Sequence, residues 1–506
     1  MAPTPRGKVL AVLGTGSDVG KSIVVTALCR IFRDMGLRVS PFKAQNMSNN
    51  SYVTLDGGEM GRAQVVQAQA AGLEPTVDMN PVLLKPSADI HAQVIVHGKA
   101  VGVSSAADYF ADTDALFAAA RSSLDRLRDQ YDLVVMEGAG SCAEVNLRPR
   151  DFVNFRMAAA ADAPVLLVAD IDRGGVFAQI VGTLDVIPPH DRAAVAGVVI
   201  NRFRGDARLF DDGMAWLAAR TGVPMLGLVP FFYHVQIDSE DGMPLDTVID
   251  PPAGPVSGRI NIAVIRLPHI SNFTDFGPLQ REGVVNLHYL ARPRRLVGYD
   301  LVILPGAKNV RSDLDWMRQV GWDAALKSYL QSGGRLGGVC GGYQMLGASI
   351  DDPRGVEGPP GQTAGLGVLD LQTTLAADKT LTRTAGIWRS LGQRVDGYEI
   401  HMGVTQQPAA MEGALEIATR NGKASPGLDG CISADGKVWG TYLHGLFDVV
   451  EFRRAFLREL CPHLADQFDD ESSQSIAAFR DKQYDLLAEH FRKHLDMKRL
   501  SEIVGL

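Results

Sequence analysis

The chain has little cysteine: five residues in 506 (Cys29, Cys142, Cys340, Cys431 and Cys461), odd in number, widely spaced and without a Cys-x-x-Cys pair. Neither a disulfide framework nor a cysteine-based zinc site is indicated, and a reducing compartment fits. Long apolar runs are also missing. Val9–Leu13 is too short for the core of a signal peptide, and no later segment approaches a membrane span, so a cytoplasmic protein without a membrane partner is expected. Nor is there an excess of positive charge. With 50 Lys and Arg against 58 Asp and Glu, the net charge of −8 argues against a general nucleic-acid binder, while leaving room for a local basic pocket that receives an acidic small molecule. No internal repeat is visible. What remains is an ordinary composition, 46% hydrophobic and 21% charged, over a length that supports two or three separate cores.

From Lys8 to about Leu228, short β-branched runs alternate with longer amphipathic stretches: Val9–Leu13, Leu133–Met136, Pro164–Ala169 and Val195–Ile200 each precede a helical segment. This alternation predicts a mainly parallel sheet covered on both faces, with ligands at the carboxyl ends of its strands. Around Asp250–Gly258 the composition turns to Pro, Gly and Ser, which marks a linker. A second α/β pattern begins at Ile260–Ile265 and resumes at Leu301–Leu304, and the runs Leu366–Leu371, Gly397–His401 and Lys437–Leu443 read as smaller, partly antiparallel strands. From Glu451 onward the pattern is helical and charged. The division expected is 1–245, a linker at 246–258, 259–450, and a helical extension at 451–506.

Two segments carry chemistry. The first is Gly14-Thr-Gly-Ser-Asp-Val-Gly-Lys-Ser22, between a strand and a helix. Such a turn exposes successive backbone N–H groups to a phosphate; Gly16 and Gly20 shape it, Lys21 reaches the β/γ oxygens and Ser22 binds Mg²⁺. Thr15 stands where the strict motif has glycine. Tyr131–Gly140 is an apolar strand ending in Glu137, where a P-loop fold places a carboxylate for the metal. The strand around Val198–Ile200 ends at Asn201, a candidate for an adenine edge.

The second segment is Arg335-Leu-Gly-Gly-Val-Cys-Gly-Gly-Tyr-Gln-Met-Leu-Gly347. A single cysteine between glycine pairs, at a sharp strand-to-helix turn, reads as a nucleophile whose thiolate the helix N-terminus favours. Cys340 then needs a base, and His444, delivered at the end of the strand Val438–Leu443, is the best-placed histidine. Leu301–Gly306 ends a strand in a glycine whose N–H, with that of Gly341, would form an oxyanion hole. Tyr398-Glu399-Ile400-His401 places further polar groups at a strand end, as substrate contacts or structural residues.

At this point the residues resemble a known combination, a dethiobiotin-synthetase-like ATP domain fused to a flavodoxin-like, class I glutamine amidotransferase domain. More closely, the chain resembles the cobyric acid synthase family of cobalamin biosynthesis. The resemblance rests on Lys43-Ala-Gln-Asn-Met-Ser-Asn-Asn50, Gly61-Arg-Ala-Gln64, Asn80–Pro86, Asp170–Phe177, Leu304–Asn309, Gly338–Gln344 and Tyr398–His401. It implies amidation of the b, d, e and g carboxylates of adenosylcobyrinic acid a,c-diamide, with glutamine as nitrogen source, ATP and Mg²⁺. It also implies Cys340 and His444 at the glutaminase site and Lys21, Ser22 and Glu137 at ATP–Mg²⁺. Arg62, Lys85 and Arg173 become candidates for the corrinoid carboxylates, and Gln344, Glu399 and His401 for substrate contacts. The usual glutamate two residues after the histidine is replaced by Leu446, so His444 works in a dyad or is oriented by another acid, such as Glu399 or Asp448. The rival readings are cobyrinic acid a,c-diamide synthase and a non-enzymatic ATP switch with a vestigial amidotransferase domain.

Overall fold

A computed structural model describes residues 6–88, 91–105, 109, 113–233, 235–238, 250, 254–408, 411–468 and 474–506. Most of the linker, 246–249 and 251–253, lies outside the described residues. The chain forms two compact units, but neither is continuous in sequence. The first holds Met1–Ser48, Met60–Glu240 and Arg480–Leu506; the second holds Asn49–Glu59 and Asp241–Phe479.

The first unit is built on a six-stranded sheet in the order Met225–Pro230, Val195–Phe203, Val165–Asp170, Lys8–Gly14, Leu133–Glu137, Val39–Phe42. Every neighbouring pair is parallel. Its central strands are buried apart from Lys8 at the start of the first, as the apolar runs require for a sheet covered on both faces. Residues at the far end of the chain complete this core: Leu487, Ala488, Phe491, Leu495, Leu500 and Val504 pack with Val24, Leu28 and Phe32 of the helix Lys21–Asp34. Arg30 of that helix pairs with Asp481 at 2.8 Å and Asp485 at 2.6 Å. The residues from Arg480 onward are thus a structural part of the first unit.

The second unit contains a six-stranded sheet in the order Val285–Leu290, Ile260–Ile265, Leu301–Leu304, Leu336–Val339, Val438–Thr441, Cys431–Ile432. All its pairings are parallel except the last. A second sheet, dominated by the antiparallel pair Gln372–Trp388 and Gln393–Gln406, carries the short strand Leu443–His444 on its edge. Two expectations are corrected here. Leu366–Leu371 forms no strand, and its leucines instead turn inward on the core, Leu369 and Leu371 almost fully buried. The run Lys437–Leu443 splits: Val438–Thr441 joins the parallel sheet beside Leu336–Val339, and Leu443–His444 crosses to the antiparallel one.

Candidate functional site

In the first unit the glycine-rich turn leaves the strand Lys8–Gly14 and enters the helix at Lys21, with Gly20 at φ 91°. That left-handed backbone needs glycine, and a Cβ there would stand 2.2 Å from Asn201 Nδ2. Lys21 is buried and donates to the carbonyls of Gly16 (3.0 Å) and Gly140 (2.7 Å), so it folds back over the turn. Ser22 Oγ donates to Glu137 Oε1 at 2.8 Å, bringing together the two oxygens expected at a metal.

Glu137 is fully buried and accepts two further donors that sequence reasoning left unassigned. Lys43 Nζ lies 2.9 Å from Oε1, and Gln67 Nε2 donates to Oε2. The available signal was position: Lys43 directly follows the strand Val39–Phe42, at the carboxyl end where such sheets place their ligands. Asn201 is engaged within the turn, donating to Val19 O at 3.0 Å and accepting from Arg202 N at 2.9 Å. Both ends of the amide therefore serve backbone groups. Arg62 is committed to Asp238 at 2.8 Å, which Arg480 also approaches at 3.2 Å. Burial would raise the Asp238 carboxyl, but the two guanidinium groups hold it down to about 2. Lys85 is buried, and Arg173 is exposed, 3.8 Å from Asp18.

In the second unit, Cys340 occupies the turn between the strand Leu336–Val339 and the helix Gly341–Leu346, at φ 52° and ψ −109°. A non-glycine residue with positive φ is strained, and the close neighbours explain why glycines surround it. A Cβ on Gly342 would sit 2.0 Å from Leu304 O, and one on Gly341 would sit 2.8 Å from Ala307 N. The elbow is tied down by Cys340 N donating to Thr441 O at 2.8 Å, while Sγ lies 3.5 Å from Ile400 O. Gly306 pairs with Ser271 in a two-residue ribbon, and a Cβ there would stand 3.1 Å from His444 Cε1.

His444 is fully buried, close enough to Cys340 for the two to influence each other's charge. Its Nδ1 faces Asp275 Oδ2 at 2.6 Å, and the other carboxylate oxygen of Asp275 accepts from Gly445 N at 3.0 Å. Burial opposes protonation of the ring, but the charges of Asp275 and Cys340 outweigh it and push the imidazole up to about 10. The acid on His444 is therefore Asp275, and neither Glu399 nor Asp448 takes that place. Glu399 accepts from Thr382 and Thr384 at 2.7 Å and from Arg420 at 2.9 Å; burial would raise it, but these donors hold it below the usual range. Leu446 is packed in the core. Asp275 reaches the site from the turn Phe273–Phe276, a polar residue shortly after the first strand of the second unit. That position was its only signal in the sequence.

The remaining candidates line the same region. Gln344 donates to Tyr442 Oη at 3.2 Å, and the His401 ring stacks on Tyr442 at 3.7 Å. Burial lowers His401 to about 4, leaving it neutral with Nδ1 2.8 Å from Gly403 O. Tyr398 stacks on His444 at 5.2 Å, and Tyr52, from segment 49–59, packs edge-on against Tyr398. A cysteine, a histidine and an aspartate in this order form a relay that can activate a thiolate for attack on an acyl group.

Two family models match the chain. Residues 10–245 match the model of the CobQ/CobB/MinD/ParA nucleotide binding domain, and residues 261–452 match that of the CobB/CobQ-like glutamine amidotransferase domain. A cobyric acid synthase of Chlorobium phaeobacteroides (strain BS1) is 56% identical over 98% of this chain and 99% of its own. One from Chlorobaculum tepidum is 54% identical over 98% of each chain, and one from Paracoccus denitrificans is 50% identical over 97% of this chain and 98% of its own. With identities at this level along nearly the whole of each sequence, the chain belongs to the cobyric acid synthase family.

Proposed function

We propose that this enzyme amidates the b, d, e and g carboxylates of adenosylcobyrinic acid a,c-diamide, giving adenosylcobyric acid, with ATP and glutamine as co-substrates. The observation that carries the reading is the coexistence in one chain of a phosphate turn, Lys21 and Ser22 beside Glu137, and a cysteine elbow, Cys340 beside His444. In the second unit, Cys340 Sγ attacks the glutamine amide carbon and His444 passes the thiol proton to the departing ammonia. A γ-glutamyl thioester forms, and water then releases glutamate. Asp275 holds the imidazole and stabilises its charged form, while the N–H groups of Gly306 and Gly341 receive the oxyanion.

In the first unit, a corrinoid carboxylate takes the γ-phosphoryl group of ATP, because a free carboxylate is a poor electrophile at neutral pH. Ammonia then displaces phosphate from the acyl phosphate. Ser22 and Glu137 present hard oxygen donors 2.8 Å apart, which suits Mg²⁺. Among the described residues no cluster of three His, Cys, Asp or Glu side chains forms a metal site, so the ion would be held jointly with nucleotide phosphates. When bound, it neutralises charge on the transferring phosphoryl group. Lys43 and Gln67 hold the Glu137 carboxylate in place.

The test is product mass with glutamine or ammonium as nitrogen source. Cys340→Ala is expected to lose glutamine-driven amidation and keep the ammonium-driven reaction, whereas Lys21→Ala loses both. Normal use of glutamine by Cys340→Ala would remove the nucleophile assignment. Products amidated only at a and c would favour cobyrinic acid a,c-diamide synthase, and ATP hydrolysis without corrinoid turnover would favour the switch reading.

A further inference from the structure

In the first unit Asn46, Gln64 and Asn80, drawn from three separate segments of the sequence, meet around Gly61. A Cβ on Gly61 would stand 2.6 Å from Asn46 Nδ2, 3.0 Å from Gln64 Oε1 and 3.1 Å from Asn80 Oδ1. The chain then enters the helix Arg62–Ala70, which sets Gln64 and Gln67 three residues apart on one face. Both are fully buried. Their hydrogen bonds fix which way each amide points. The backbone N–H of Met47 donates to Asn46 Oδ1 at 2.9 Å, so Asn46 Nδ2 is the donor to Gln64 Oε1, at 3.0 Å. Gln64 Nε2 is left as a buried donor with no partner among the described residues. Gln67 is the opposite case: Nε2 donates to Glu137 Oε2, and Oε1 is left as a buried acceptor with no partner among the described residues.

A donor and an acceptor buried without partners each cost free energy until something meets them. Their neighbour is the carboxylate that stands beside Ser22. Glu137 Oε1 already takes Ser22 and Lys43, and Oε2 takes Gln67. Mg²⁺ bound through a carboxylate and phosphates keeps several waters, whose protons need acceptors of their own. Gln67 Oε1, on the amide that grips Glu137, is an acceptor still open there. A phosphoryl oxygen only accepts, and it suits the open N–H of Gln64.

We propose that Gln64 and Gln67 are binding residues for the magnesium form of ATP: Gln67 Oε1 accepts from a water held by the ion, and Gln64 Nε2 donates to a phosphoryl oxygen. The inference rests on the reading of Lys21, Ser22 and Glu137 as the ATP–Mg²⁺ site. Asn46 and Asn80 are positioning residues behind them. Asn46 sets the direction of the Gln64 amide. Asn80 Oδ1 takes the N–H of Gly61 at 2.9 Å, where the helix begins, and its Nδ2 donates to Val82 O at 2.9 Å.

The experiment titrates the non-hydrolysable analogue AMP-PNP into the full chain by calorimetry, once with Mg²⁺ and once with EDTA. Gln67→Met and Gln64→Met remove the amides at similar volume, Gln67→Asn and Gln64→Asn withdraw them by one methylene, and melting curves identify the folded variants. The Gln67 variants are expected to weaken binding roughly tenfold or more with Mg²⁺ and less than about twofold without it. The Gln64 variants should weaken both forms alike, by roughly tenfold. Gln67→Met is repeated in a Glu137→Gln background, where holding the carboxylate no longer counts, and its loss should persist. A loss that vanishes there, or that is equal with and without Mg²⁺, overturns the assignment of Gln67. Affinities within about twofold of the unsubstituted chain in every folded variant overturn the proposal, the amides then serving structure alone. If Lys21→Ala binds Mg²⁺–AMP-PNP as tightly as the unsubstituted chain, the reading beneath fails instead.

Discussion

At the scale of single residues, Asp275 separates the observed relay from a cysteine–histidine dyad. It accepts from His444 Nδ1 and Gly445 N together, which fixes both the tautomer and the direction of the ring. Asp275→Asn would keep the shape and lose the charge that stabilises the imidazolium. Glutamine-driven amidation is expected to fall on the order of 10²–10⁴-fold, with ammonium-driven amidation retained, as measured by product mass. Asp238 gives a pH prediction. Its carboxyl is depressed to about 2 between Arg62 and Arg480, below its ordinary unfolded value near 3.8. The stability it contributes is therefore present above pH 4 and lost as pH falls through 2, and Asp238→Asn should flatten acid unfolding of the first unit across that window. The placement of Lys21, Ser22, Glu137, Cys340 and His444 at turns and strand ends was legible in the sequence, because glycines flank each of those turns. Asp275 was not, because no spacing links residue 275 to residue 444 until the chain folds.

Elements act here chiefly by bringing backbone close to backbone. The elbow at Cys340 depends on Gly342, where a Cβ would meet Leu304 O at 2.0 Å. Backbone cannot yield as a flexible side chain does. Gly342→Ala should therefore cost about 1–3 kcal/mol and displace Cys340, read as a lower melting temperature together with lost glutamate release. Segment 49–59 is a second such element. Ser51 N holds Asn272, Tyr52 packs on Tyr398, and buried Glu59 pairs with Lys379 at 2.5 Å. Tyr52→Ala removes an aromatic pair worth about 0.5–1.5 kcal/mol and loosens the ring stacked on His444. A several-fold fall in glutamate release, with ATP binding unchanged by calorimetry, is the expected result.

At the scale of the whole molecule, the chain leaves its first unit, returns to it, and closes it with its last residues. Leu487, Phe491, Leu500 and Val504 are buried in the core of the first unit. At roughly 1.5–3 kcal/mol for each large apolar side chain, removing them costs a substantial share of the stability of a domain. Truncation after Phe479 should abolish ATP-dependent amidation with either nitrogen source and remove one calorimetric transition. The parallel sheets, the glycine-rich turn before Lys21 and the glycine-flanked elbow at Cys340 were determined by the sequence itself, because apolar periodicity and glycine placement act over a few residues at a time. The assignment of segment 49–59 and residues 480–506 to their units, and the meeting of Asp275 and Asn272 with His444, were decided only by the tertiary structure. Those contacts join positions more than 160 residues apart or reach across unit boundaries in the sequence, and only packing brings them together.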